Sequence, residues 1–362
     1  MPALEGMDRN WVGLDTGDQT TALCVTDAVG RVILQQELPS KVNAIHSALD
    51  ALNSVLPFSI AMESCSTSTA LAKGLRKLGY HVAVFDCYQI HQFLSIRRNK
   101  TDANDARGIA EVGRLGSGYL SQVHVKSNES YLLRAKLVTR QRIIRQRVAC
   151  ENLVRGLLRV YGGRIRTRIG TADLLRSHVA KQVVDIQQTS GVDLSGELAP
   201  LLDMCSRFHT EVDRLEAEIQ AYADADEHCR RFRAVPGVSA LVAVSFYTAI
   251  GDPMRFRRSA DVPAYLGLTP KVSDSGATSK GRGISKAGSV LTRTHLVNAA
   301  TVILHHSKTD TALRRWGLNK AAAIGVRKAR VAVARKLAII LFNMWRNAEA
   351  FDANGLETAF SD

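Results

Sequence analysis

The chain has no Cys-x-x-Cys pair, which removes both the usual spacing of a zinc site and the framework of a disulfide-rich secreted domain. Its six cysteines, Cys24, Cys65, Cys87, Cys150, Cys205 and Cys229, are scattered and read as buried thiols in a reducing compartment. The first ten residues, MPALEGMDRN, lack the basic-then-apolar order of a signal peptide. No apolar run is long enough to cross a bilayer; the longest covers only 238–250. The expectation is a cytoplasmic protein with no membrane partner.

Acid is missing where base is dense. Residues 126–168 hold twelve Lys or Arg against Glu129 and Glu151, and residues 271–346 hold fifteen against Asp274 and Asp310. The formal net charge is +14 and the sequence pI is about 9.7. Such an excess points to a polyanion, because each phosphate neutralised by Lys or Arg releases condensed counterions. Two separated basic segments, with an acidic stretch near 193–227 between them, suit a protein that holds nucleic acid in more than one place. The candidate contacts are Arg142, Arg145 and Arg147 in the first segment, and Lys280, Arg282 and Lys286 in the second.

A chain of 362 residues exceeds one ordinary core, so several domains are expected. Residues 10–38 read as three short strands, followed by a helix over 41–55, a strand FSIAMES, a helix over 68–78 and a strand HVAVFD. Three strands in succession and then strands alternating with helices describe a mixed sheet covered by helices, an α/β domain over 1–120. Residues 126–165 lack proline and read as a long basic helix. Over 196–226, Leu201, Cys205, Phe208, Val212, Leu215, Ile219 and Tyr222 recur at four- and three-residue steps, a coiled-coil seam. These helices form a middle region, 121–230, whose seam pairs either within the chain or between subunits. Residues 231–350 form a mostly helical third region that opens on Pro236-Gly237-Val238. That turn suits either a phosphate-holding helix-hairpin-helix or plain helix packing.

Four acids stand where chemistry needs them. Asp15 ends the first strand in GLDTG, and Glu63 ends a later strand in AMES. Asp102 and Asp105 lie three residues apart in KTDANDARGIAE, hence on one helical face. Carboxylates at adjacent strand ends, joined by a helical pair, can converge on one point. They would repel one another there unless Mg²⁺ or Mn²⁺ neutralised them. Two such ions would polarise a phosphodiester and stabilise its attacking and leaving oxygens. Asp18 and Asp86 are read as turn residues. Each acid alone has a plain alternative: a turn former, a helix cap or a solvated helix face.

GLDTG, the AMES glutamate and KTDANDARGIAE resemble the DEDD motif of a family of insertion-sequence transposases. Three further blocks carry the likeness through the second half: AVPGVSALVAVSFYTAIGDPMRFRRSADVPAYLGLTP, DSGATSKGRGISKAG and RKARVAVARKLAIILFNMW. The resemblance implies an RNase H-like N-terminal domain similar to Holliday-junction resolvases, with Asp15, Glu63, Asp102 and Asp105 as catalytic metal ligands. It implies a nucleophilic serine in a Ser-Gly step after GLTP, which here is Ser275-Gly276. Many relatives have two adjacent serines, whereas this chain has Asp274-Ser275. The partners it implies are donor and target DNA, a bridge RNA that pairs with both, and further copies of the chain in a dimer or tetramer.

The local chemistry is compatible with that serine. Lys271, Lys280, Arg282 and Lys286 surround a Gly-rich stretch, where cations lower the cost of negative charge developing at a phosphate. No histidine adjoins it; His295 is the nearest that follows. An actin-like sugar kinase also begins with a GLDTG-like loop, but it needs a second Gly-rich phosphate loop after an Asp-Gly strand turn, which 276–288 lacks. A plain junction nuclease would leave 230–346 without a task, and a non-catalytic coiled-coil binder would have no use for the four acids.

Overall fold

The computed structural model describes residues 10–53, 58–95, 101–116, 119–165, 169–271, 274–275, 278–279 and 282–354. The chain divides into two compact units, Met1–Val125 and Lys126–Asp362.

The first unit is built on β1 (Asn10–Thr16), β2 (Thr20–Thr26), β3 (Val32–Pro39), α1 (Val42–Asn53), β4 (Phe58–Glu63), α2 (Ser68–Lys77), β5 (Val82–Phe85), α3 (Cys87–Leu94) and α4 (Asp102–Gly116). The five strands form one sheet in the order β3-β2-β1-β4-β5. β1, β2 and β3 are antiparallel, and β1, β4 and β5 are parallel. This is the mixed sheet that the succession of strands predicts.

Alternation along the strands gives the sheet two apolar faces. Val12, Leu14, Leu23, Val25, Ile60 and Met62 pack under Ile45 and Leu49 of α1 and Leu71 and Leu75 of α2. On the opposite face Trp11, Ala61, Ala83 and Phe85 meet Ile90 of α3 and Ile109, Ala110 and Val112 of α4. α4 lies unusually close to β1 because small residues line the contact. A Cβ at Gly13 would overlap the backbone of Ala106 and Ala110, and one at Gly113 would overlap the Trp11 ring. Asp86, read as a turn residue, caps α3: its carboxylate accepts a hydrogen bond from the Gln89 amide at 3.1 Å.

The second unit contains α5 (Asn128–Val160), α6 (Ala172–Ser190), α7 (Ser195–Ala225), α8 (Glu227–Arg233), α9 (Ala240–Ile250) and α10 (Asp261–Tyr265). Four short strands follow, β6 (Pro270–Lys271), β7 (Asp274–Ser275), β8 (Thr278–Ser279) and β9 (Arg282–Ile284), then α11 (Val290–His305), α12 (Ala312–Ile324) and α13 (Val326–Arg346). α6 adds to the expected elements: Leu175, Val179, Val183 and Ile186 recur at helical spacing between the Thr171 N-cap and Gly191 at the C-cap.

The pairing of the heptad seam, left open by the sequence, is within the chain. Lys136 meets Glu218, Arg140 meets Glu216 and Arg147 meets His209, so rising numbers on α5 meet falling numbers on α7. The two helices are antiparallel. Leu215 and Ile219 are buried, as the seam predicts. At one end Cys150, Val154 and Leu158 of α5 pack with Leu198 and Cys205 of α7 and with α6. At the other end Leu133, Leu137, Ile219 and Ala223 join the core formed by α9, α11 and α13. Among the described residues no helix is long and apolar enough to cross a membrane. The apolar run 238–250 is mostly α9, buried in that core. Pro236-Gly237-Val238 packs against α11: Gly237 has φ +89°, and a Cβ there would lie 2.8 Å from Ile303 Cγ1.

One expectation about the cysteines needs correcting. Cys24, Cys150, Cys205 and Cys229 are buried free thiols, but Cys65 and Cys87 are exposed. Each stands two residues past the end of a parallel strand, where the chain leaves the core and turns toward the following helix.

Candidate active site

Pairing and pleat together position the acids. Trp11, Gly13 and Asp15 point to the face of β1 that α4 covers, since they alternate with the buried Val12 and Leu14. On β4 the same alternation puts Glu63 on the face of Ala61, again toward α4. Leu14 is opposite Met62, so Asp15 and Glu63 end neighbouring strands, about 4.8 Å apart in the sheet. Asp102 and Asp105 form the first turn of α4. Thr101 fixes that turn: its hydroxyl accepts from the Asn104 amide at 3.2 Å, and its carbonyl from the Asp105 amide at 2.8 Å.

Asp15 and Asp102 line one cleft of about 500 Å³, together with Thr20, Gln35 and Glu37. Sequence reasoning alone misses Glu37. Register puts Asp15, Ala22 and Glu37 in one row across β1, β2 and β3. The small Ala22 leaves the space between the two carboxylates open. The signal is present in VILQQELP, where Gln35 and Glu37 alternate with Leu34 and Leu38, which pack on the opposite face. Gln35 Nε2 donates to the Ala103 carbonyl at 2.6 Å and ties β3 to the first turn of α4.

The donor set fits a hard divalent cation: anionic oxygens from two strand ends and one helical turn. Among the described residues, no three His, Cys, Asp or Glu side chains are grouped tightly enough to hold an ion between them. The four predicted acids thus share one face of the sheet, and two of them line one cleft. Beside them Cys65 Sγ lies 3.0 Å from Thr16 Oγ1 and 3.1 Å from Thr67 Oγ1. Burial pushes its pKa up, but bonds from Thr16, Thr67 and the Ser68 and Thr67 amides outweigh burial and hold the thiol below its ordinary value.

The predicted serine lies on an arm of the second unit. β6 pairs with β9 and β7 with β8, both antiparallel, and Ser275 faces Thr278. At the base the Ser285 amide donates to the Thr269 carbonyl and the Lys286 amide to that of Gly267. Arg293, buried in the first turn of α11, closes the base by donating to the Leu266 carbonyl at 3.0 Å and the Ala287 carbonyl at 2.7 Å. Lys280 lies outside the described residues, as do the side chains of Ser275 and Arg282. Lys286 is exposed, with φ +58°. His295 is buried; desolvation, with repulsion from Arg140, lowers its pKa to about 4, so it is neutral at physiological pH.

Of the basic residues singled out on α5, Arg142 and Arg145 are exposed and form no ion pair among the described residues. Arg147 turns inward. Its guanidinium lies 3.2 Å from His209 Nδ1 and 3.5 Å from Glu151, which Arg155 and His209 also approach.

A transposase family model of the DEDD IS110 type matches residues 12–162, and one described as the transposase IS116/IS110/IS902 family matches 229–315. The chain is 30% identical to a probable family 20 transposase of Pseudomonas aeruginosa, over 93% of this chain and 96% of that protein. It is 28% identical to the transposase for insertion sequence element IS1111A of Coxiella burnetii, over 95% of this chain and 92% of that protein. The Thermus thermophilus RuvC structure matches 32% of this chain and 99% of its own, at 17% identity and a TM-score of 0.25. The chain belongs to the IS116/IS110/IS902 family of transposases.

Proposed function

We propose that this protein cuts and rejoins DNA strands to move an insertion sequence, using an RNase H-like acidic site and a serine nucleophile. The observation that carries the reading is the shared cleft of Asp15 and Asp102, flanked by Glu63 at the neighbouring strand end, in a chain of a transposase family. The sheet order, three antiparallel strands and then parallel β1, β4 and β5, supports the RNase H-like assignment. Asp15, Glu63, Asp102 and Asp105 would hold Mg²⁺ or Mn²⁺, which supplies charge neutralisation and polarisation of the phosphodiester.

Ser275 attacks the scissile phosphorus through its hydroxyl oxygen. The proton leaves that oxygen, a phosphoserine ester forms, and the departing strand oxygen takes up a proton. Rejoining is the reverse attack by a strand hydroxyl, so the ester conserves the bond and no ATP is required. Lys271 and Lys286 near the arm's base, together with Lys280 and Arg282, reduce the cost of the added charge on phosphorus. Arg142 and Arg145 track a nucleic-acid backbone. Family membership supports donor and target DNA as substrates, guidance by a bridge RNA, and assembly into a dimer or tetramer.

The test is denaturing electrophoresis of labelled DNA incubated with each variant. Ser275→Ala abolishes the covalent adduct and leaves DNA binding intact. Asp15→Ala blocks cleavage through loss of the cation. An adduct formed by Ser275→Ala would assign the attack to another residue, with Ser285 and Ser273 next in line.

A further inference from the structure

The two C-terminal helices carry charge of one sign. α12 and α13 contain nine Lys or Arg and no Asp or Glu. Some of this charge is compensated: Arg315 pairs with Asp310, and Arg346 donates to the carbonyls of Phe256 and Arg257. Around Trp316 three cations gather. Lys320 Nζ of α12 lies 5.8 Å from the Trp316 ring centroid, and Lys336 Nζ of α13 lies 5.7 Å from it. Arg335 stands beside them, and the Lys336 pKa is lowered by burial and by repulsion from Arg335 and Lys320.

The backbone beneath this cluster is closely packed. A Cβ at Gly317, next to Trp316, would lie 2.6 Å from Val333 Cγ2 and 2.8 Å from Leu304 Cδ2, so α12 locks directly onto α13 and α11 there. The helices that carry these like charges are held together by packing, and an anion laid over them offsets their mutual repulsion. The charge also continues along the surface. Lys328 and Arg335 are both exposed and seven residues apart, so they share one face of α13 at about 10 Å spacing.

We propose that the α12–α13 surface, centred on Lys320, Arg335 and Lys336, binds the phosphate backbone of duplex DNA without reading its sequence. Charge complementarity selects the polyanion. Trp316 argues against a single strand: it is half-buried, with two ammonium groups at its ring, and offers no open aromatic platform on which bases could stack. This surface is separate from Arg142 and Arg145 on α5. It rests on the DNA-rearranging function proposed above only for its choice of substrate.

The experiment uses the full-length chain and a duplex unrelated to any element end. Binding is measured against salt for wild type and for Lys320→Gln/Arg335→Gln/Lys336→Gln. The slope of log K against log salt should become shallower by about 2 to 3, close to 0.9 for each phosphate that is no longer neutralised. Trp11 and Trp345 are buried, so Trp316 dominates any change in tryptophan emission on adding duplex, and Trp316→Phe should remove that change. An unchanged salt slope overturns the proposal. So does a variant that keeps its duplex slope but loses affinity for a structured RNA hairpin, which would make the surface an RNA site. If the triple variant does not fold, Arg327→Gln/Lys328→Gln, at exposed positions where α13 starts, asks the same question. Adduct formation by Ser275→Ala would sink the proposed chemistry while leaving a reduced salt slope standing, so the two failures are distinct.

Discussion

Gly13 of β1 lies so close to Ala106 of α4 that a side chain on Gly13 would overlap the Ala106 carbonyl oxygen. Asp15 is two residues further along β1, and Asp102 is four residues back along α4, one helical turn. The backbone contact therefore sets the distance between the two halves of the cleft. Gln35, bonded to the Ala103 carbonyl, holds the same turn from β3.

Gly13→Ala should unfold the first unit at lower temperature, because overpacking of this kind costs about 1–3 kcal/mol. Calorimetry of the full chain reads it as a loss in the transition belonging to that unit. An unchanged transition would mean that α4 does not dock on β1 through Gly13.

Asp15→Asn and Glu37→Gln separate two roles within the cleft. Asp15→Asn should lose divalent-cation binding, followed by terbium luminescence, and strand cleavage with it. Glu37 is across Ala22 from Asp15, two strands away and about 10 Å at the backbone, so Glu37→Gln should retain terbium binding and weaken it less than tenfold. Equal losses from both variants would make Glu37 a ligand.

The Cys65 thiol should be the fastest of the six to react with iodoacetamide, with a pH midpoint below that of an ordinary thiol. Thr16→Val removes one hydroxyl that stabilises the thiolate and should move the midpoint up. Peptide mapping by mass spectrometry follows both effects.

Much of the first unit is legible in the sequence because strand alternation and turn residues are local signals. The acids can be placed at strand ends before any pairing is known. Glu37 escapes notice because β3 is an edge strand whose exposed residues look like ordinary surface, and only the row through Ala22 reveals what Glu37 faces. The seam of α7 is visible as a repeat, but its partner is not. The pairing is decided by Lys136, Arg140 and Arg147 of α5 meeting Glu218, Glu216 and His209, contacts 62 to 82 residues apart. Arg147 looks identical to Arg142 and Arg145 in sequence. Its helical phase, four residues before the buried Glu151, distinguishes it.

Burial gives His295 a measurable pH signature. Its folded pKa, about 4, lies below the unfolded value near 6.5, so between those values the unfolded chain binds more protons. The associated stability is complete above pH 6.5 and is lost as pH falls toward 4, by about 3 kcal/mol at most. His295→Leu should flatten this part of the stability curve, measured by urea unfolding at pH 7 and pH 5. A wild-type-minus-variant difference that does not change between those pH values would show that the imidazole is not desolvated.

The arginines of α5 should divide into two classes. Glu151 is 7% exposed, and Arg147, Arg155 and His209 all lie within 4 Å of its carboxylate. Breaking a buried charge cluster by removing one partner strands the rest, at a cost of about 3–5 kcal/mol. Glu151→Gln should therefore destabilise the α5–α7 pairing by that order, and Arg147→Gln by somewhat less, because Arg155 stays with the carboxylate. Arg142→Gln and Arg145→Gln remove exposed groups and should leave unfolding within about 0.5 kcal/mol of wild type. Those two should instead reduce the salt dependence of nucleic-acid binding, by about 0.9 in slope for each phosphate contact to duplex DNA. Urea unfolding and salt-titrated binding on the same four variants give a two-by-two pattern. If Arg147→Gln changes the salt slope and leaves stability alone, Arg147 belongs to the nucleic-acid face, and its approach to Glu151 and His209 carries no weight in the fold.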